Sequence, residues 1–144
     1  MERVENMNLD ERLKTDCHIV CELEQSTLLL LNNSLVDWLI LVPHCEEIEL
    51  TNLPFSQQTS ILSEVNLVAR FIQQTCAPDK LNIATLGNVV SQLHIHVIGR
   101  KHSDPYWPAP VWGQTQTEPY TEKQVQQIKD RFTAFLNSAN HQIS

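Results

Sequence analysis

Apolar and polar positions alternate along this chain in two distinct rhythms. Residues 54–76 carry Ile61, Val65, Val68 and Ile72 at helical spacing, with Leu62 and Phe71 flanking them, and predict one long amphipathic helix. Ala77-Pro78-Asp79 ends it, because proline disfavours helix at the residue before it. Thr121-Glu122-Lys123-Gln124 is a capping box, and Val125, Ile128, Phe132 and Phe135 then mark one face of a last helix. A short first helix is predicted over residues 8–15, capped by Asn8 or Asp10. The other rhythm is strand-like. Residues 18–24 partly alternate, and residues 27–31 (TLLLL) and 38–42 (WLILV) are short apolar runs separated by Asn32, Asn33 and Ser34. Asn and Ser favour a turn, so these runs predict antiparallel strands, the second ended by Pro43. Residues 81–86 and 93–98 predict two more strands, with Gly87-Asn88 between them. Residues 101–113 hold three Pro and two Trp and predict an irregular loop that buries aromatics. The pattern is that of an α+β domain, an antiparallel sheet with helices packed on one side.

Length and composition narrow this further. The chain has 144 residues, which is one domain spanning 1–144 with enough length for a real core. Hydrophobic residues at 42% with 3 Gly argue against disorder and low complexity. A net charge of −7 gives no electrostatic footprint for long nucleic acid, yet backbone amides and imidazoles can still hold a small phosphate. No apolar run approaches the length of a membrane span, and the first fifteen residues lack a hydrophobic signal core. The chain therefore reads as cytoplasmic, with Cys17, Cys21, Cys45 and Cys76 as reduced, buried small residues.

The chemistry-bearing stretch is Gln92-Leu93-His94-Ile95-His96-Val97-Ile98. On a strand, Leu93, Ile95 and Val97 share a core-facing side, and Gln92, His94 and His96 share the other, taken to be the solvent side. Two imidazoles in a row admit several readings: polar positions on a half-buried strand, a metal site, or nucleophilic catalysis at phosphorus. A metal needs a third ligand, and Cys17 and Cys21 are roughly 13 Å apart on an extended strand, too far to chelate together. An unprotonated imidazole nitrogen is a good nucleophile near neutral pH, and its neighbour can steady phosphate oxygens or pass a proton.

QLHIHVI resembles the histidine triad (HIT) motif, His-apolar-His-apolar-His-apolar-apolar. Trp38 to Pro43 looks like the strand ending in Pro that precedes that family's long helix, and Asn82 with Gly87-Asn88-Val89-Val90 looks like its nucleotide-contacting loop. The resemblance implies a five-stranded antiparallel sheet with a long crossover helix and a C-terminal helix, usually dimeric. It implies a nucleotide phosphate hydrolase or nucleotidyl transferase, needing no cofactor, that works through a nucleotidyl-histidine intermediate. His94 corresponds to the nucleophile and His96 to the last His of the triad. Asn88 and Val89 fall near the phosphate, where Val89 offers only its backbone amide, and Asn32 falls near a ribose-contacting position.

Gln92 stands where the first His of the triad belongs. Gln hydrogen-bonds but does not titrate, so an orienting role fits and a proton role does not. Some bacterial family members look similar here and share a segment like DPYWP followed by PVWG, as at residues 104–108 and 110–113. A nucleotide-binding protein with little turnover is the alternative, and a metal-dependent enzyme the third choice. His44 is out of register with the family's residues after Pro and receives no role. Arg100 and Lys101 read as solvated charge, Trp107 and Trp112 as core or interface fillers, and His141 as an exposed tail residue. A homodimer is expected, with Leu67 and Ala69 of the long helix as contact candidates.

Overall fold

The computed structural model describes residues 9–143, with side chains described through residue 138. The expectations for Asn8 and for the His141 side chain lie outside these. The order is α1 (Glu11–Asp16), β1 (Cys17–Glu22), β2 (Ser26–Leu31), β3 (Asp37–Pro43), α2 (Phe55–Cys76), β4 (Lys80–Ala84), β5 (Ile95–Arg100) and α3 (Glu122–Ile143). The strands form one five-stranded sheet in the order β1-β2-β3-β5-β4, and all four pairings are antiparallel.

The local signals act as their chemistry requires. Asp10 caps α1, its carboxylate accepting from Arg12 N at 2.8 Å. The capping box of α3 is reciprocal: Thr121 N donates to Gln124 Oε1 at 2.8 Å, and Gln124 N donates to Thr121 Oγ1 at 3.1 Å. Beyond α2, Ala77 adopts a left-handed conformation with φ 48°, and Pro78 follows.

Both faces of the sheet are covered, which explains the unbroken runs in β2 and β3. On one face Leu28, Leu30, Leu39, Leu41, Ile95 and Val97 meet Ile61, Val65, Val68 and Ile72 of α2 and Val125 and Phe132 of α3. Phe71 and Phe132 pack edge to face with centroids 5.0 Å apart. On the other face Leu29, Trp38, Ile40, Val42 and Ile98 meet Leu13 of α1 and Tyr106 and Val111 of the following loop. The expectation of helices on one side therefore holds for α2 and α3 but not for α1.

Other expectations are corrected by the packing. Leu62 is 56% exposed, whereas Phe71, the other flanking residue, is buried together with Glu64 and Ala69. Ala69 is buried in its own chain's core and Leu67 packs against the same cluster, so neither forms a free contact face. The four cysteines are half-buried and unpaired with one another. A bulge between Ile19 and Cys21 turns Cys21 to the α2 face while Cys17 packs on the opposite one. Gly99 marks the closest approach of β5 to α2: an added Cβ would lie 2.6 Å from Ile72 Cγ2.

Candidate active site

The regular pairing of β5 begins at Ile95, opposite Leu41 of β3. His94 thus stands just beyond the ladder and His96 one residue inside it, paired with Ile40 on one side and Ala84 on the other. Alternation continues past the ladder, since Leu93 joins the same core cluster as Ile95 and Val97. His94 and His96 share the opposite face, with ring centroids 4.9 Å apart.

That face is not a solvent side. His94 is 7% and His96 6% exposed. The covering group is aromatic: the Trp112 ring lies 5.2 Å from His96 and 6.1 Å from Trp38, edge-on to both. A wet face expected from alternation is closed because the loop after β5 folds back over it. Trp112 is therefore a cover over His96, and its buried Nε1 has no hydrogen-bond partner among the described residues.

Two hydrogen bonds fix the imidazole tautomers. His94 Nδ1 lies 2.7 Å from the Gln92 carbonyl oxygen. A carbonyl only accepts, so Nδ1 carries the proton and Nε2 keeps its lone pair. Trp38 Nε1 donates to His96 Nδ1 at 2.9 Å. An indole N–H only donates, so His96 has its lone pair at Nδ1 and its proton at Nε2. Burial first, and the neighbouring His94 second, push the His96 pKa down from 6.5 to about 4. His96 is therefore a neutral Nε2–H donor at physiological pH, and the proton-passing role allowed for it in the sequence becomes a hydrogen-bonding one.

The other candidates fall in different places. Gln92 meets His94 through its backbone carbonyl, while its side-chain Oε1 accepts from Asp10 N at 2.8 Å and ties the site to the start of α1. The contact of Gln92 with His94 is made by its main chain. Gly87, with φ 75°, and Ser91 line a pocket of about 50 Å³ beside His94, together with Glu49, Thr85 and Leu86. Asn88 and Val89 are exposed and do not line it, Val89 being 72% exposed. Ser91 was missed because a serine in a loop carries no spacing signal. Asn32 is not brought to the site. Leu30 is opposite Leu39, and Leu39 opposite Val97, so Asn32 lies roughly 17 Å along the strands from the level of His94. Its Oδ1 accepts from Tyr120 N at 2.9 Å, and it pins the entry to α3.

Arg100 is 1% exposed, not solvated. It donates from Nε to Asp104 Oδ2 at 2.8 Å, from Nη2 to Asp104 Oδ1 at 3.1 Å and from Nη1 to Asn82 Oδ1 at 3.0 Å. Burial pushes Asp104 up, but Arg100 and the N–H groups of Tyr106 and Lys101 outweigh it and hold the carboxyl below its usual range. This clamp anchors the cover to β5. His44 lies outside the site, its Nε2 3.1 Å from both Glu22 Oε1 and Thr27 Oγ1. Next to the His94 pocket a wider groove of about 350 Å³ is lined by Asp10, Cys45, Glu46, Glu47, Ser91 and Gln92, giving the site an acidic rim. Among the described residues, no group of three or more His, Cys, Asp or Glu is arranged to hold a metal ion.

The family profile described as the HIT domain matches residues 12–103. The chain belongs to the HIT family. Among solved structures, a histidine triad protein from Marinobacter aquaeolei is 39% identical, with a TM-score of 0.86, over 91% of this chain and 96% of that one. One from Sinorhizobium meliloti is 38% identical with a TM-score of 0.85, over 88% and 95%. A diadenosine triphosphate hydrolase from Plasmodium falciparum shares the fold at 16% identity and a TM-score of 0.59, over 94% and 82%. No curated protein matches. The five-stranded antiparallel sheet with helices is the HIT fold, and HIT enzymes are in general hydrolases of nucleotide derivatives.

Proposed function

We propose that this chain, as a single HIT domain over residues 1–144, is a nucleotide phosphate hydrolase or nucleotidyl transferase. His94 Nε2 attacks the α-phosphorus, forming a P–N bond while the bond to the leaving group breaks with its electron pair. The leaving group takes a proton from water. A water or another acceptor then attacks the phosphorus, the P–N bond breaks, and the Nε2 lone pair of His94 is restored. His96 donates from Nε2–H to the phosphate oxygens, and the hydroxyl of Ser91 and the backbone by Gly87 serve the same anion. The observation that carries this reading is the opposed pair of hydrogen bonds that leaves a lone pair on His94 Nε2 and a proton on His96 Nε2.

The acidic rim bears on the substrate. Asp10, Glu46, Glu47 and Glu49 repel a long polyanion and favour a substrate whose leaving group is neutral or cationic. A nucleoside phosphoramidate or an adenylated amine fits better than a dinucleoside polyphosphate such as the one hydrolysed by the Plasmodium relative. The deciding experiment is a hydrolysis screen of these classes with His94→Ala as control, joined to mass spectrometry of acid-quenched protein. A nucleotidyl adduct on His94 supports the mechanism; turnover retained in His94→Ala ends it. The close cover over His96 favours, as second reading, a nucleotide-binding protein with little turnover, which would bind without forming the adduct. Activity abolished by chelators and restored by metal would point to the third, metal-dependent reading.

Gln92 is proposed as a branch feature compatible with activity, since its main chain supplies the contact to His94. The protein is proposed to act as a cytoplasmic homodimer. Light scattering should give about twice the chain mass of 16.5 kDa; a mass of one chain that is unchanged on concentration removes the dimer. No helix among the described residues is long and apolar enough to cross a membrane.

A further inference from the structure

Across the sheet from the imidazoles, a cleft of about 240 Å³ opens between the start of β3, the end of α2 and the first turns of α3. Leu39, Phe71, Ile72 and Ile128 give it an apolar lining. Asp37 opens into it beside Cys76 and Tyr120, and Arg131 stands on its exposed rim. Nothing in the proposed hydrolysis uses any of these groups.

Asp37 is a poor residue for the fold. It is half-buried, and the hydrogen-bond partner described for its side chain is the Cys76 thiol, a weak donor. No ion pair to it occurs among the described residues. Burial pushes its carboxyl up, and the thiol and the charge of Lys101 only partly oppose this. Burial next to Asp37 and Cys76 likewise pushes the Tyr120 hydroxyl above its usual range. A half-buried carboxylate that makes no ion pair among the described residues, with Lys101 and Arg131 only near it, carries a desolvation cost that an ammonium seated on it would relieve. A concave, mostly apolar site with one or two placed polar groups is also the form small-molecule sites take.

We propose that this cleft is a second small-molecule site, for an organic amine with an apolar body, the ammonium seated on Asp37 and the body against Leu39, Phe71 and Ile128. The amine is defined by its chemistry: one cationic donor for the carboxylate and a compact ring or branched group for the lining. Trp38 borders the cleft, but its ring and its bond to His96 lie on the other face of β3, and occupancy is read without any enzymatic assay.

The test uses three probes of one shape and different charge: 2-phenylethylamine, 2-phenylethanol and 3-phenylpropionate. They are titrated into the full chain and followed by amide NMR shifts. The amine is expected to bind in the millimolar range, shifting Thr75, Cys76, Tyr120 and Gln124, with the alcohol about tenfold weaker. The carboxylate is expected not to bind there. Asp37→Asn should lose the preference for the amine while melting at the same or a higher temperature than wild type. Equal binding of amine and alcohol, preference for the carboxylate through Arg131, or no binding of the amine overturns the proposal. A large drop in the melting temperature of Asp37→Asn also overturns it, since the carboxylate would then serve the fold. Failure of that variant to fold counts as the same result. Failure of these outcomes leaves the reading of His94 untouched, because none is measured by turnover.

Discussion

Replacing Trp38 with Phe keeps an aromatic ring beside His96 and removes the donor that holds its tautomer, together with part of a buried ring. In the wild-type protein the indole N–H occupies His96 Nδ1 at 2.9 Å, and the ring has a pKa of about 4 in place of 6.5. At pH 5.5 that value leaves about 3% of His96 protonated, whereas an ordinary histidine would be about 90% protonated. The lowered pKa also sets the sign of the stability change. The unfolded chain binds this proton more readily than the folded one, so stability is full above pH 6.5. It falls as pH drops toward 4, by up to about 3 kcal/mol from this group. Trp38→Phe leaves Nδ1 buried without a partner, at a cost of about 1–3 kcal/mol at neutral pH. The freed nitrogen can accept a proton, so the His96 pKa should rise and the acid loss should shrink. Long-range ¹⁵N–¹H NMR reads both nitrogens directly. The wild type should show a protonated Nε2 and a bare Nδ1 down to pH 5.5, and the variant should show mixed tautomers. Turnover should fall about three- to tenfold, the share of the lost hydrogen bond that had selected the donor tautomer. A wild-type His96 protonated at Nδ1, or titrating near 6.5, would refute the reasoning.

His94→Ala should abolish turnover and, because the imidazole is buried, lower stability by about 1–3 kcal/mol; circular dichroism and a thermal melt check that the fold survives. Gln92→Leu should stay within a few-fold of wild-type turnover, since the backbone carbonyl remains, yet melt earlier by about 1 kcal/mol through loss of the bond to Asp10 N; a collapse of activity would give its side chain a direct role. Gln92→His should keep partial activity in the same assay. Arg100→Lys loses the two-pronged contact with Asp104 and the stacking on Trp107 at 5.5 Å, and denaturant unfolding should show a loss of about 3 kcal/mol. Glu46→Gln with Glu47→Gln should raise the rate on dinucleoside polyphosphates relative to phosphoramidates, and an unchanged ratio would dismiss the acidic rim as a selector.

What the sequence made legible follows from short-range physics. Helical spacing located α2 and the start of α3, and the capping box formed as read because all its atoms lie within one turn. The apolar runs located β2 and β3, and alternation correctly separated Leu93, Ile95 and Val97 from the imidazoles. Alternation reports sides, however, and not what covers them. That is why His96 reads as wet and Arg100 as solvated, when the loop after β5 folds back over both, and why His94 reads as wet when it sits in a pocket beside residues 85–87 and 91–93. Gln92 was assigned a side-chain role because side chains are what a sequence displays, while its contact to His94 is made by a carbonyl that every residue has. Asn32 looked close through a loose family match, but strand register carries it to the other end of the sheet. The bulge in β1, which sends Cys17 and Cys21 to opposite faces, is likewise silent in the sequence.

The cover over His96 is built without strand pairing. Among the described residues it is held by the Arg100–Asp104 clamp, by Asn33 Nδ2 donating to Tyr106 Oη at 3.0 Å, by Glu118 N donating to Asn33 Oδ1 at 3.3 Å, by Ser34 N donating to Glu118 O at 2.6 Å and by Tyr120 N on Asn32. Each is a separate fastening, and the sheet beneath keeps its ladder when any one of them lets go. Residues 105–119 therefore form a unit whose opening free energy is a fraction of that of global unfolding. Their amides should exchange with solvent well before those of β3 and β5, and ligand at His94 should slow them selectively. Local opening, at a frequency set by these fastenings and by the burial of Tyr106 and Val111, thus sets how fast anything reaches or leaves His96 from its Trp112 side.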